Sequence, residues 1–148
     1  MKEIFIQISK NKVFIITLYA WLIAQAIKVI IGVIRQKKFD FRWLIGTGGM
    51  PSSHAAGAAC LATILGLEYG FNSGYFALAA SFAIVVMFDA QGVRRSTGKQ
   101  ARILNKIMAD IYWQGRTSED RLRELIGHTP VEVLVGGLLG VAVAFWLH

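Results

Sequence analysis

One cysteine, two prolines and nine acidic residues are all that the 148 positions supply of those types. Each shortage excludes something. Cys60 stands alone inside an apolar run. It cannot close an internal disulfide, and no Cys/His cluster has zinc-ligand spacing, so no metal site is expected and packing is its ordinary role. Pro51 and Pro130 each stand at the start of an apolar stretch, where a proline fits the first turn of a helix. The chain has no internal repeat and no low-complexity segment. Asp and Glu are outnumbered by 16 Lys and Arg, which gives a formal net charge of +7. A basic balance of that size suits nucleic acid or anionic lipid. The aromatic residues do not interleave with the basic ones as a base-stacking platform requires, and the basic residues flank apolar runs. Nucleic acid is therefore excluded as a partner, and lipid headgroups are the expected counterpart.

What the chain has in abundance is apolar sequence, 55% of its residues, gathered into long runs. That pattern is the signature of an integral membrane protein, here a single domain over residues 1–148. Residues 13–34 are almost wholly apolar and long enough to cross a bilayer. Their apolar character continues past the cleavage-like Ala24-Gln25-Ala26, so an uncleaved span is expected. Residues 55–67 give a short second span rich in small residues, and residues 75–88 a third. The last run ends at Leu147; its Gly136 and Gly140 are spaced for tight helix packing, with Gly137 beside them. Between the third and last runs, residues 100–111 place Ile103, Ile107 and Ile111 on one face, with charged residues on the others. This is an amphipathic helix that lies on the membrane or packs across the basic end of the bundle. A further short helix carries Leu122, Leu125 and Ile126. The expected fold class is all-α, an integral membrane helical bundle with about four transmembrane helices and an amphipathic interfacial helix.

Polar residues interrupt or border these runs in a pattern. Lys28 lies within the first span, and Arg35 follows seven residues later, close to two helical turns, so both project from nearly the same face. Alone, Lys28 would read as a lysine whose ammonium snorkels to the interface. Gly48-Gly49-Met50-Pro51-Ser52-Ser53-His54 opens the second span with hydroxyls and an imidazole on a helix start, where unpaired N–H groups favour an anion. Ordinary capping explains the same residues. The third span ends at Asp89, followed closely by Arg94 and Arg95; a local ion pair at headgroup level and a functional site are equal readings there. Gly127-His128-Thr129-Pro130-Val131-Glu132 opens the last span, with Thr129 as N-cap, Pro130 at the first position and Glu132 completing a capping box.

Four spans put the connector of residues 35–54, with four Lys and Arg, on the same side as residues 91–128, with eight. The positive-inside rule then assigns both connectors, and the polar cluster, to the cytoplasmic face of the cell membrane, with both termini outside. Lys2, Lys10 and Lys12 oppose that assignment. The relative statement is firmer: the polar residues named above gather at one end of the bundle. Two histidines at helix starts can divide acid and nucleophile roles in phosphoryl transfer, cations can hold the phosphoryl oxygens, and Glu132 or Asp89 can fix a tautomer.

These residues resemble the divergent branch of the type-2 phosphatidic acid phosphatases, distantly related to vanadium haloperoxidases, over essentially the whole chain. Lys28 and Arg35 match the wider superfamily's first motif, with Gln36 in place of its proline. Pro51-Ser52-Ser53-His54 matches the second, with Ser53 in place of glycine. His128 with Glu132 matches the end of the third, with Glu for Asp; that motif's arginine falls at Leu122, between Arg121 and Arg123. The resemblance implies a membrane phosphohydrolase that removes phosphate from a lipid phosphate or diphosphate without metal or other cofactor. In that reading His128 is the nucleophile, Glu132 orients it and His54 is the acid. Lys28, Arg35, Ser52 and Ser53 bind phosphate together with Arg94, Arg95 or a neighbour of Leu122, and Asp89 supports them. The expected partners are a lipid-phosphate substrate and membrane lipids, and a homo-oligomer is left open. The rival is a non-catalytic membrane protein that binds or transports the same anions.

Overall fold

The computed structural model describes residues 1–37, 49–111 and 128–148, without the side chains of residues 93–95, 97, 99 and 109–111. The described residues form six helices and no strand: α1 Lys2–Lys10, α2 Lys12–Gln36, α3 Ser53–Tyr69, α4 Gly74–Gln91, α5 Val93–Ile111 and α6 Pro130–Leu147. The expected helix around Leu122, Leu125 and Ile126, and much of the connector after Arg35, lie outside the described residues.

Local chemistry sets most of the boundaries. Asn11, Ser52, Ser73 and Thr129 are the N-caps of α2, α3, α4 and α6, and each side-chain oxygen accepts from a backbone N–H in the helix it opens. Asn11 also separates α1 from α2, so the lysine-bearing start is a helix of its own, exposed along its length. α2 ends at Lys37, whose left-handed backbone closes the last turn through its N–H to the Val33 carbonyl, 2.8 Å. Gly70 at φ 89° starts the tight turn into α4, where the Ser73 N–H meets the Gly70 carbonyl.

α3 is the central element, packed against α2, α4 and α6. Its buried face is built from small residues. Ala58 and Ala62 meet Ala79 and Ala83 of α4, and Cys60 and Ile64 meet Ile16 and Ala20 of α2 and Val143 and Ala144 of α6. Hydrocarbon offers little hydrophobic drive between helices, so such bundles rely on close van der Waals approach. α6 shows the limit of that approach. A methyl group added at Gly136 would run into the Ser52 carbonyl oxygen of α3, and one at Gly140 into that of Ala56. Large apolar side chains instead point outward, among them Leu78, Val85, Leu138 and Trp146, each more than 60% exposed. An exterior of this kind suits lipid rather than water.

Among the described residues three helices, α2, α4 and α6, are long and apolar enough to cross a membrane. About four had been expected. At 17 residues, α3 extends roughly 26 Å, a few ångströms less than a hydrocarbon core of about 30 Å. Most of its surface is covered by its neighbours. The bundle has two polar ends. At one, Lys12 Nζ lies 3.0 Å from Glu68 Oε1, and His148 Nε2 lies 3.6 Å from the same oxygen. At the other end are the C-termini of α2 and α4 and the N-termini of α3 and α6.

Candidate active site

That second end gathers the three sequence motifs, through contacts between different pairs of them. The α6 start is the best-defined part. Thr129 Oγ1 accepts from the Glu132 N–H at 3.3 Å, and Glu132 Oε2 accepts from the Thr129 N–H at 3.0 Å. The expected capping box is present. The same Glu132 oxygen lies 3.2 Å from His128 Nδ1. A carboxylate only accepts, so it fixes the ring proton on Nδ1 and turns Nε2 into the basic nitrogen. Capping and orientation of the imidazole are thus one arrangement of one carboxylate.

His128 is 1% exposed. Its backbone N–H donates to the Ala90 carbonyl of α4, 3.1 Å, immediately after Asp89, which is half-buried. Beneath it, Val133 of α6, Ala55 of α3 and Ala90 form a small buried cluster backed by Met87. The third motif is therefore anchored to the end of α4 through a main-chain bond.

The second motif joins it from α3. The Ser52 N–H donates to the Glu132 carbonyl, 3.0 Å, while the Ser52 hydroxyl accepts from the Ala55 N–H, 3.4 Å. Ser52 is the N-cap, so the helix begins at Ser53 and Pro51 precedes the first turn. Pro51 had been expected within that turn; serine takes the cap position because its hydroxyl can satisfy a helix N–H and its own N–H finds the Glu132 carbonyl. Ser52 and Ser53 are both fully buried. His54 is exposed, with its ring centroid 6.3 Å from that of His128.

Lys28 brings in the first motif. It is 8% exposed, and its ammonium interacts coulombically with Glu132. Gly49 packs on its stem: a methyl on Gly49 would lie 3.2 Å from Lys28 Cγ. Gly49 has φ 87°, a left-handed conformation that suits glycine. A buried lysine at membrane depth, with a carboxylate as its charge partner, has the placement of a functional cation. Gln25, one turn deeper on α2, is also buried.

Arg35 has a different setting. Seven residues of rise carry it about 10 Å beyond Lys28, and it is exposed in the last turn of α2. Matching rotation does not bring matching depth. Arg94 and Arg95 fall in the first turn of α5, and their side chains are outside the description, as are Arg121, Leu122 and Arg123 altogether.

Main-chain groups complete the site: the carbonyls of Ala90 and Glu132 hold His128 and Ser52. No side-chain signal marks such groups in a sequence. The glycines facing α3 were the nearest available hint, because only a residue without Cβ lets α6 come close enough for the Ser52–Glu132 bond.

A protein of Bacillus subtilis (strain 168), described as uncharacterized membrane protein YuiD, is 42% identical over 142 residues, covering 88% of this chain and 90% of its own. No solved structure gives a significant match. The family model described as Divergent PAP2 family matches residues 9–143. With a match over nearly its whole length, the chain belongs to the divergent PAP2 family, as an all-helical membrane protein.

Proposed function

We propose that the protein is a membrane phosphohydrolase acting on a lipid phosphate or diphosphate through a phosphohistidine. The observation that carries this reading is the pair of histidines, 6.3 Å apart between ring centroids, with Glu132 on Nδ1 of the buried one. His128 Nε2 attacks phosphorus and forms the N–P bond as the P–O bond to the lipid breaks. His54, as imidazolium, gives its proton to the departing lipid oxygen. The neutral His54 then takes a proton from water; the water oxygen bonds to phosphorus, the N–P bond breaks and inorganic phosphate leaves. Glu132 holds the Nδ1 proton throughout and stabilises the positive charge that the ring carries as a phosphoimidazolium.

Lys28 neutralises phosphoryl oxygen charge from the bilayer side, and Arg35, Arg94 and Arg95 supply cations from the surface side. Ser52 and Ser53 line the start of α3, whose dipole favours the anion. A lipid reaches such a site laterally, with its headgroup at the helix starts and its chains among the outward apolar side chains. The twelve Lys and Arg of the two connectors support a cytoplasmic placement of this end, against the three N-terminal lysines.

The test is phosphate release from a panel of lipid phosphates by the purified protein in detergent. Parent activity that falls to background in both His54→Ala and His128→Ala supports the mechanism. Equal release by parent and variants would refute it. Vanadate binding by a parent that releases no phosphate from any substrate would favour the binding or transport protein instead.

A further inference from the structure

α5 shows which way its apolar stripe faces. At about 100° per residue, Ile103, Leu104, Ile107 and Met108 share a stripe roughly 140° wide. These four are 45–59% exposed. Gly98 and Ala101, on an adjoining face, are buried, and among the described helices α5 packs against α4 alone. The small residues are thus the covered ones, while the bulky apolar ones are left exposed. Arg102 and Lys106, both exposed, lie roughly 170° and 130° from the centre of the stripe. Of the two placements open from sequence, packing across the bundle is the one this orientation disfavours.

We propose that α5 is an in-plane docking surface for anionic lipid, independent of any catalytic reading of the site. Two observations commit it to lipid. First, α5 follows the apolar helix α4 after Gly92 alone, so it starts at the membrane surface, where Val85 and Phe88 near the end of α4 are themselves exposed. Second, a basic face above an apolar stripe complements a negatively charged headgroup layer over acyl chains. Because the α4 end also holds His128 through Ala90, the lipid gathered by α5 lies beside the polar end of the bundle.

The experiment uses the full chain in a Cys60→Ala background, reconstituted into phosphatidylcholine vesicles with and without phosphatidylglycerol. Nitroxides are placed singly at Ile103, Ile107, Arg102 and Lys106 through cysteine substitutions. Collision with oxygen against a water-soluble nickel chelate reads their depth. Labels at 103 and 107 below the phosphate level, with those at 102 and 106 at or above it, are expected. Water-accessible labels at 103 and 107 would overturn the proposal. So would labels at those positions shielded from both reagents and broadened by spin–spin coupling, because a second copy would then cover the stripe. Enrichment of fluorescent phosphatidylglycerol around the protein reads the basic face in a second assay. Arg102→Gln with Lys106→Gln should lower it, with an upper bound of roughly fivefold per basic residue, and unchanged enrichment would equally overturn the proposal.

Discussion

Replacing Gly140 by alanine tests the close approach on which the site rests. The added methyl would overlap the Ala56 carbonyl oxygen and lie 2.9 Å from its carbon and 3.0 Å from Ala56 Cα. An unstrained carbon contact needs roughly 3.5–4.0 Å and a carbon–oxygen contact roughly 3.3 Å, and the oxygen is the nearest atom, so α6 must withdraw from α3 by about an ångström or slightly more. The obstructing atoms are main chain and cannot rotate aside, which places the cost near the upper end of overpacking, about 3 kcal/mol. Better helix propensity of alanine returns about 1 kcal/mol. The net loss of about 2 kcal/mol corresponds to a fall of about 4–8 °C in unfolding temperature for a chain of this size. Gly137→Ala is the control: its methyl would meet only Met87 Sδ at 3.7 Å, an ordinary contact, so its midpoint should equal or exceed the parent's. Cys60 provides the assay. It is the chain's one cysteine and has no exposed surface, and it packs with Val143 and Ala144 of α6. A fluorogenic maleimide will react with it only as α6 leaves α3. A Gly140→Ala protein that melts at or above Gly137→Ala would refute the reasoning.

Glu132→Gln and Thr129→Ala separate the two tasks of the α6 start. Glutamine at position 132 can still accept from the Thr129 N–H, so its melting temperature should stay near the parent's while phosphate release falls about a hundredfold or more; equal activity would reduce Glu132 to a cap. Thr129→Ala should show the reverse ordering, losing about 1 kcal/mol of stability with a smaller effect on turnover. Lys28→Met keeps much of the buried stem volume and removes the charge. Vanadate inhibition should weaken at least about tenfold; the melting temperature should fall by less than the loss of a fully buried partner costs, because the Glu132 carboxylate left behind keeps its bonds to the Thr129 N–H and His128 Nδ1; unchanged vanadate affinity would remove Lys28 from the anion site.

The capping box at Thr129 and Glu132 and the membrane character were legible because each is written in neighbouring residues or in composition. The same holds for the histidines and Lys28, whose types stand out in apolar surroundings. Arg35 shows the limit of that reading: helical rotation follows from spacing, but depth follows from where α3 and α6 end against α2. The start of α3 moved by one step for a similar reason, since Ser52 is drawn to the Glu132 carbonyl, a partner eighty residues away.

The sequence by itself determined that this is a helical membrane protein with three polar motifs at the borders of its apolar runs, because hydropathy and helix-start chemistry are local. Only the tertiary structure decided that those motifs meet. Gly136 and Gly140 let α6 rest against the α3 backbone, the Ser52 N–H and the Glu132 carbonyl lock that contact, and the Ala90 carbonyl holds His128 within it. Those are main-chain bonds between distant segments, formed when small residues allow helices to touch, and no single stretch of sequence contains them.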